Sequence, residues 1–293
     1  MERTLGPRNF DNIIRETFLI YKNNFLKFAG IVAIAYLPII MLAVIFIAAM
    51  MIPFLYNPDA IKGPSQMLYT LIPAELLLLL VAFIAITLMQ GALVYATAEQ
   101  YFLQPVSIGR ALRFAWQRIW NMLGAVLLAG LAVTGIWLLI IGIPLTIYLA
   151  KIVTGDYWQL IAIGVALAVI CIPAAVYLGI FWAFTLQTAL LESCRPTAAL
   201  SRSWALVKGS WWRVLGISLL LGLIQFGINL VSGIIPFIGG IIAIFISMPI
   251  ATTGLTLLYF DLRVRKQAYS LDALANELGL ASAPVDTGSS PPV

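Results

Sequence analysis

Three carboxylates are the residues of this chain that could take part in acid–base chemistry. Glu99, Glu192 and Asp261 each come directly after a long apolar segment and lie beside basic residues. They form no closely spaced pair, and the sequence contains no histidine, so the commonest general base and metal ligand are both missing. We therefore expect these carboxylates to balance nearby arginines, for example Asp261 with Arg265 one helical turn later.

Nucleophile motifs are also missing from the sequence. Ser201, Ser203 and Ser210 have no histidine to activate them, and neither a phosphate-binding glycine loop nor a G-x-S-x-G or H-E-x-x-H motif occurs. Cys171 lies in an apolar segment and Cys194 in a basic one, so we interpret both as ordinary small residues. The sequence predicts no catalytic, cofactor-binding or metal-binding residues and a protein that is not an enzyme.

The composition predicts an integral membrane protein. Hydrophobic residues make up 62% of the 293 residues and charged residues 10%, whereas soluble domains average about 25% charged residues. About 20 apolar residues are needed for one membrane-spanning helix. Six segments are long enough: Phe28–Tyr56, Leu71–Ala98, Met122–Leu149, Trp158–Leu191, Arg213–Ile235 and Phe237–Phe260.

The distribution of basic residues predicts the topology. Of the 17 Lys and Arg residues, 15 flank the spans on one side, and Lys62 and Lys151 lie on the other. An excess of Lys and Arg in short loops marks the cytoplasmic face. Both termini should therefore be cytoplasmic, in a membrane of the bacterial inner (plasma) type, with residues 57–70, 150–157 and the turn around Pro236 outside. The net charge of +5 belongs to this membrane surface and does not indicate nucleic-acid binding.

An internal repeat organises the chain. Phe10–Gly30, Gln104–Gly124 and Pro196–Gly216 align without gaps on their final glycines. Position −14, counted back from the glycine, is basic in two copies, and position −13 holds a small residue in all three, Thr17, Ala111 and Ser203. Pro144 and Pro236 both lie twenty residues after their glycine, where proline ends or bends a helix.

Each copy begins with a predicted basic amphipathic helix, over residues 10–27, 106–121 and 197–212. Apolar residues at −16, −12, −9 and −5, such as Phe18 at −12 and Phe25 at −5, have helical spacing. This stripe could contact lipid or pack on the transmembrane helices, and the pattern fits both equally. We expect five tryptophans to be interfacial anchors and four basic residues to meet anionic headgroups. The anchors are Trp116, Trp120, Trp204, Trp211 and Trp212, and the headgroup candidates are Arg113, Arg118, Arg202 and Lys208.

The predicted fold is all-α, with six transmembrane helices in three tandem repeats of a cytoplasmic amphipathic helix and a transmembrane hairpin. The repeats cover about 9–103, 104–195 and 196–280 of a single membrane domain, 1–280, and are related by an approximate threefold axis along the membrane normal. Residues 281–293 are rich in Pro, Ser and Gly and are predicted to be disordered.

The spans contain no ionisable residue at mid-depth, which argues against an ion-coupled transporter. Gln225 and Asn229 are four residues apart and share a helix face. They could bridge neighbouring helices or line a polar cavity, and we favour bridging because amides in membrane helices commonly hydrogen-bond across helices.

Two motifs resemble a known family. Arg202–Gly216, with the sequence RSWALVKGSWWRVLG, and Leu258–Lys266, with the sequence LYFDLRVRK followed by Leu271-Asp272, are similar to the membrane domain of glycerophosphoryl diester phosphodiesterases and to related uncharacterised bacterial six-helix membrane proteins. The resemblance covers roughly residues 9–280. It implies a bacterial inner-membrane domain. The catalytic domain of that family relies on histidines and metal-binding carboxylates, so the enzymatic name does not transfer to a chain without histidine.

The leading functional hypothesis is a non-enzymatic scaffold or lipid-interacting module of the membrane, with anionic lipids as partners and no cofactor. The alternative is a transporter or channel for a lipid or small apolar solute, since transporters often contain internal repeats. Here the predicted repeats run in the same orientation, not an inverted one. The third hypothesis, an enzyme that acts on lipid headgroups through Glu99, Glu192 or Asp261, has the least support. A protein partner or a homo-oligomer is left open.

Overall fold

A computed structural model describes residues 10–56, 64–102, 104–149, 158–236 and 238–267. Every regular element in these ranges is a helix. The ten helices are α1 Phe10–Asn23, α2 Phe25–Tyr56, α3 Pro64–Tyr101, α4 Ile108–Gln117, α5 Ile119–Leu149, α6 Trp158–Phe181, α7 Thr185–Leu191, α8 Pro196–Val207, α9 Trp211–Ser232 and α10 Gly239–Gln267. The expectation of an all-helical protein is confirmed for the described residues.

Six stretches of these helices are long and apolar enough to cross a membrane. They match the six predicted segments, with ends that differ by a few residues: Phe25–Ala49, Leu71–Tyr101, Ile119–Leu145, Ile161–Leu191, Trp211–Ser232 and Gly239–Lys266. A chain with six such helices is a multi-pass membrane protein. The predicted outer residues Lys62 and Lys151 and the predicted disordered tail, 281–293, lie outside the described residues.

The chain divides into two compact units, of which the first contains residues up to Gln117 and from Leu223 onward. In this unit α3 packs against α2, α4 and α10, and α1 packs against α10. Fully buried aromatic and aliphatic side chains, among them Phe28, Leu93 and Tyr259, fill the space between these helices. The hydroxyls of Thr97 on α3 and Thr253 on α10 are 3.3 Å apart and link the two helices.

The second unit runs from Arg118 to Gly222. Here α5 packs along α6, α7 and α8, and α8 packs on α6 and α7. Met122 of α5, Phe184 and Leu190 are completely buried, and Leu206 of α8 is nearly so. The span that enters as α6 is interrupted at residues 182–184 before it continues as α7, and this interruption was not predicted.

Pro144 and Pro236 stand at the same position of the alignment but differ in their place relative to the helices. Pro144 lies inside α5, which continues to Leu149. Pro236 follows the end of α9 at Ser232, and α10 begins at Gly239. A Cβ atom on Gly239 would overlap the carbonyl group of Ser232, so only glycine fits at this turn.

In α1 the predicted apolar stripe is not the side that packs on the neighbouring helices, so the second of its two predicted environments, packing on the transmembrane helices, is contradicted there. Phe18 and Phe25, assigned to the stripe, are 41% and 43% exposed. The buried line of α1 contains Ile13, Thr17 and Ile20 instead. The small residue at position −13 is completely buried in all three short helices, as Thr17, Ala111 and Ser203. Small side chains let a helix approach its neighbour closely, so the contact follows the small residues, and the large aromatic residues lie at its edge.

Candidate membrane-surface site

The three short helices α1, α4 and α8 make one kind of contact. Helices α4 and α8 pack on the spans directly before them in the chain, α4 on α3 and α8 on α6 and α7, whereas α1 packs on the last span, α10. We call the α3–α4 contact the first join, the contact of α8 with α6 and α7 the second join, and the α10–α1 contact the third join. The predicted headgroup residues belong to α4 and α8 or follow them directly. Of the predicted anchors, Trp116 and Trp204 lie in these helices, and Trp120, Trp211 and Trp212 lie in the first turns of α5 and α9.

At the first join, the carboxylate of Glu99 lies at the end of α3 and is completely buried. One oxygen accepts a hydrogen bond of 2.9 Å from the backbone N–H of Ser107, just before α4 begins. The other oxygen lies 3.0 Å from Nε of Arg110, whose side chain is half-exposed. Arg110 also donates to the carbonyl oxygen of Pro105. The buried charge is therefore paired and hydrogen-bonded, as buried charges must be.

At the second join, Glu192 occupies the corresponding place after α7. Its carboxylate accepts a hydrogen bond of 2.7 Å from Nε of Arg202 on α8. Arg110 and Arg202 both stand at position −14 of the alignment. The same carboxylate–guanidinium pair therefore holds a short helix onto the preceding span at both joins.

Asp261, at the third join, pairs within its own helix. Its oxygens lie 3.0–3.1 Å from Nε of Arg265. The expectation that Glu99, Glu192 and Asp261 balance arginines is confirmed. The α1 side of this join contributes Tyr21, whose hydroxyl lies 3.5 Å from the carbonyl oxygen of Phe245 on α10. Burial raises the pKa of the Tyr21 phenol above its ordinary value.

The five predicted anchor tryptophans fall into two groups. Trp116, Trp120 and Trp212 are 60%, 80% and 79% exposed, in positions from which they could enter the headgroup layer. Trp204 stacks on Phe181 of α6, with ring centroids 3.8 Å apart. Trp211 lies beside Tyr177, at 5.9 Å. The structure therefore places these last two against the protein.

The four predicted headgroup residues also differ in their surroundings. Arg113 and Lys208 are exposed, and no described hydrogen bond or ion pair involves Arg113. Arg118 donates a 2.6 Å hydrogen bond from Nε to the hydroxyl of Ser193, and Arg202 is committed to Glu192. Arg118 and Arg202 thus bind protein side chains, and the side chains of Arg113 and Lys208 are exposed at the protein surface.

The two predicted intrabundle amides make no bond between helices among the described residues. The amide of Asn229 is exposed and donates a 2.8 Å hydrogen bond to the carbonyl oxygen of Gln225 in its own helix. The Asn229 side chain therefore bonds within its own helix, to a backbone carbonyl oxygen, and the predicted bridging between helices is not seen among the described residues.

Between α8 and α9 the chain makes a tight turn at Gly209, whose φ of +83° favours glycine. A cavity of about 440 Å³ lies at this turn and is lined by residues 209–213. Lys208 and Trp212, both exposed, flank it. Sequence reasoning had singled out these side chains individually but not the turn that brings them together.

The aligned glycines Gly30 and Gly124 permit close contact of the short helices α4 and α8 with one further span each, α2 and α5. A Cβ atom on Gly30 would lie 2.9 Å from the terminal methyl of Ile108, in the first turn of α4. A Cβ atom on Gly124 would lie 2.6 Å from Cγ of Pro196, the first residue of α8. Each glycine therefore accommodates the start of the next short helix.

Within the described residues, no cluster of three or more His, Cys, Asp or Glu side chains could hold a metal ion. A comparison of the chain with protein-family models, with curated proteins and with solved structures found no match. The resemblance to the phosphodiesterase membrane domain therefore stays a prediction from its two motifs.

Proposed function

We propose that this multi-pass membrane protein is a non-enzymatic, lipid-interacting scaffold that binds anionic headgroups at the cytoplasmic surface. One observation carries the proposal. Helix α4 buries one side against a neighbouring span and exposes Arg113 and Trp116 on the other, and Lys208 is exposed directly after the end of α8.

This combination of side chains suits a lipid headgroup layer. Tryptophan prefers the membrane–water interface because its ring is apolar and its N–H is polar. A Lys or Arg near an anionic leaflet contributes about 1 kcal/mol of binding free energy. Trp116 therefore sets the depth at which Arg113 meets phosphate groups, and Trp212 does the same for Lys208.

The proposal includes the organisation and orientation predicted from the sequence. It includes three tandem copies and amphipathic short helices on the cytoplasmic side. It also includes a location in a bacterial inner membrane and membership of the phosphodiesterase membrane-domain family. The repeated burial of position −13 and the two matched carboxylate–arginine pairs support the tandem copies. The basic residues in the segments flanking the spans support the orientation.

The alternative function, transport of a lipid or small apolar solute, rests on the internal repeat. The hydroxyls of Thr87, Thr97 and Thr256, which lie within the spans, donate to carbonyl oxygens of their own helices. These bonds satisfy the hydroxyls without a solute, and they favour the scaffold.

Quenching of tryptophan fluorescence by brominated lipids tests the proposal. The purified protein is placed in nanodiscs that contain brominated phosphatidylglycerol or brominated phosphatidylcholine in otherwise matched mixtures. We expect stronger quenching by the anionic lipid, and a decrease of roughly tenfold in this preference when Arg113 and Lys208 are both changed to Gln. Added salt should weaken the preference in the same direction.

The matched control is Arg265→Gln. Arg265 is also basic and lies near the end of a span, but its guanidinium is bound to Asp261. The Arg265→Gln variant should leave the preference for quenching by the anionic lipid unchanged. An equal loss in the control, or no loss in the double variant, would contradict a headgroup site at Arg113 and Lys208. Uptake of a labelled lipid by vesicles containing the wild-type protein would favour the transporter.

A further inference from the structure

The interruption between α6 and α7 breaks the backbone hydrogen-bond pattern of a membrane span. Ala183 donates to the carbonyl oxygen of Ile180, and Thr185 to that of Trp182, both three residues back. A continuous α-helix would instead bond Phe184 to Ile180 and Thr185 to Phe181, four residues back. The amide of Phe184 and the carbonyl of Phe181 are therefore left without these helical partners.

Ser203 of α8 supplies both missing partners. Its hydroxyl oxygen accepts a 3.2 Å hydrogen bond from the N–H of Phe184 and donates a 2.8 Å hydrogen bond to the carbonyl oxygen of Phe181. Ser203 is completely buried. Irregular backbone inside a membrane is tolerated only where the protein satisfies its polar groups, and one side chain does so here.

Two further contacts hold α8 at the same place. Trp204, next to Ser203, stacks on Phe181 with an interplanar angle of 18°. The hydroxyl of Thr188, on α7, lies 3.1 Å from the carbonyl oxygen of Ala199, one turn before Ser203 on α8. Helix α8 therefore contacts the span on both sides of the break, through α6 and through α7.

The residues that align with Ser203 at the other two joins show what the hydroxyl contributes. Ala111, at the same position of the first join, has no hydroxyl, and α3 runs unbroken to Tyr101. Thr17, at the third join, has a hydroxyl but donates it to Ile13 of its own helix, and α10 is also unbroken. The break occurs only where the hydroxyl reaches across to the span.

We infer that residues 181–185 form a two-state hinge, broken or continuous, and that the hydroxyl of Ser203 selects the broken state. The hydroxyl oxygen can accept from the N–H of Phe184 only in the broken state, because the continuous helix pairs that N–H with the carbonyl oxygen of Ile180. A side chain that interacts with one of two states shifts the population toward that state. The position of α8 is thereby coupled to the direction of the span, independently of any lipid site.

Distance measurement by pulsed electron paramagnetic resonance tests the inference in the full-length protein. Labels attached through ketone-bearing amino acids at Val169 of α6 and Ser201 of α8, both exposed, leave the two native cysteines in place. The wild type should show one dominant distance. In Ser203→Ala, a second distance should increase at least tenfold in population. Ser203→Thr, which keeps a hydroxyl, should resemble the wild type.

Two other variants make the test specific. Thr185→Pro removes the N–H that would bond Phe181 in the continuous helix and makes the proline ring clash with that carbonyl group, whereas the broken state loses only the bond to the carbonyl oxygen of Trp182. Combined with Ser203→Ala, it should restore the wild-type distance. Thr17→Val removes the aligned hydroxyl at the third join and should change nothing.

A wild-type distance distribution in Ser203→Ala would overturn the inference, as would a second distance that persists with Thr185→Pro. If the alanine variant does not fold, Ser203→Cys provides the comparison, because a thiol is a much weaker hydrogen-bond donor. It should show a smaller rise of the second population, and an unchanged distribution would again overturn the inference.

Discussion

At the first and second joins, the same kind of charged pair attaches a short helix to a membrane span, but the backbone conformation of the span differs. At the first join, Glu99 and Arg110 connect α4 to an unbroken helix. At the second, Glu192 and Arg202 connect α8 to a span that is interrupted eight residues before the carboxylate. Position −13 distinguishes them, as alanine in the first and serine in the second.

This difference shows that the charged pair and the residue at position −13 contribute in different ways to the contact between short helix and span. The carboxylate–arginine pair attaches a short helix to the span before it, and it is common to both joins. The residue at −13 determines the local geometry of the span. Alanine allows close packing and leaves the backbone to satisfy itself, whereas serine adds a donor and an acceptor that a broken backbone can use.

The largest difference between the joins should come from removing the carboxylates. Glu99 is completely buried and takes up both Arg110 and the amide of Ser107, whereas the Glu192 side chain is 9% exposed and its partner Arg202 is 38% exposed. We expect Glu99→Ala to lower the free energy of unfolding by about 2 kcal/mol and Glu192→Ala by about 1 kcal/mol. Reversible denaturation in mixed detergent micelles measures both.

A double-mutant cycle sharpens this prediction. Arg110→Ala alone removes a half-exposed partner, so Glu99→Ala should add less when Arg110 is already absent. Equal losses at Glu99 and Glu192, or strict additivity at the first join, would mean that the two pairs stabilise their joins by something other than burial.

The aligned glycines should give the next largest difference. A methyl group on Gly30 meets the end of the flexible Ile108 side chain, which can rotate away. A methyl group on Gly124 meets the stiff ring of Pro196. Alanine also favours the helix by about 1 kcal/mol in both places. We expect Gly124→Ala to be less stable than Gly30→Ala by about 1–2 kcal/mol, measured as above; equal stabilities would show that α8 shifts freely.

The sequence predicted the six spans well because long apolar segments give a strong signal that depends on composition alone. It also predicted the pairing of the carboxylates, because the charges recur at matched places. It left open whether the apolar stripe of α1 faces lipid or the protein, and the side of α1 that packs on the protein contains the small Thr17 and not the large Phe18. In a membrane protein both lipid and neighbouring helices accept large apolar residues, so hydrophobicity does not separate the two faces.

The role of Ser203 could not be predicted for a different reason. A hydroxyl that bonds its own helix, as in Thr17, and one that bonds a neighbouring span, as in Ser203, look the same in a sequence. The break at 182–184 also contains no proline or glycine that would mark it. Which group the hydroxyl reaches depends on the tertiary contact of α8 with α6, which local patterns do not encode.

The smallest expected effect distinguishes the third join from the other two through pH. At position −9 the three short helices carry Tyr21, Ala115 and Val207, so a titratable group occurs there only in α1. Burial raises the pKa of Tyr21, and the neutral hydroxyl lies within hydrogen-bonding distance of the carbonyl oxygen of Phe245, to which a phenolate could not donate. The folded protein therefore holds the Tyr21 proton more tightly than the unfolded chain does. Its contribution to stability is complete below the ordinary tyrosine pKa of about 10 and decreases as the pH rises above that value.

Other tyrosines and lysines titrate in the same range, so the quantity to measure is the difference in thermal stability between the wild type and Tyr21→Phe from pH 8 to 11. We expect this difference to shift in favour of the phenylalanine variant at the alkaline end. A difference that stays constant with pH would show that the phenol ionises as easily in the folded protein as in the unfolded chain, and that the third join, like the other two, is insensitive to the protonation of its short helix.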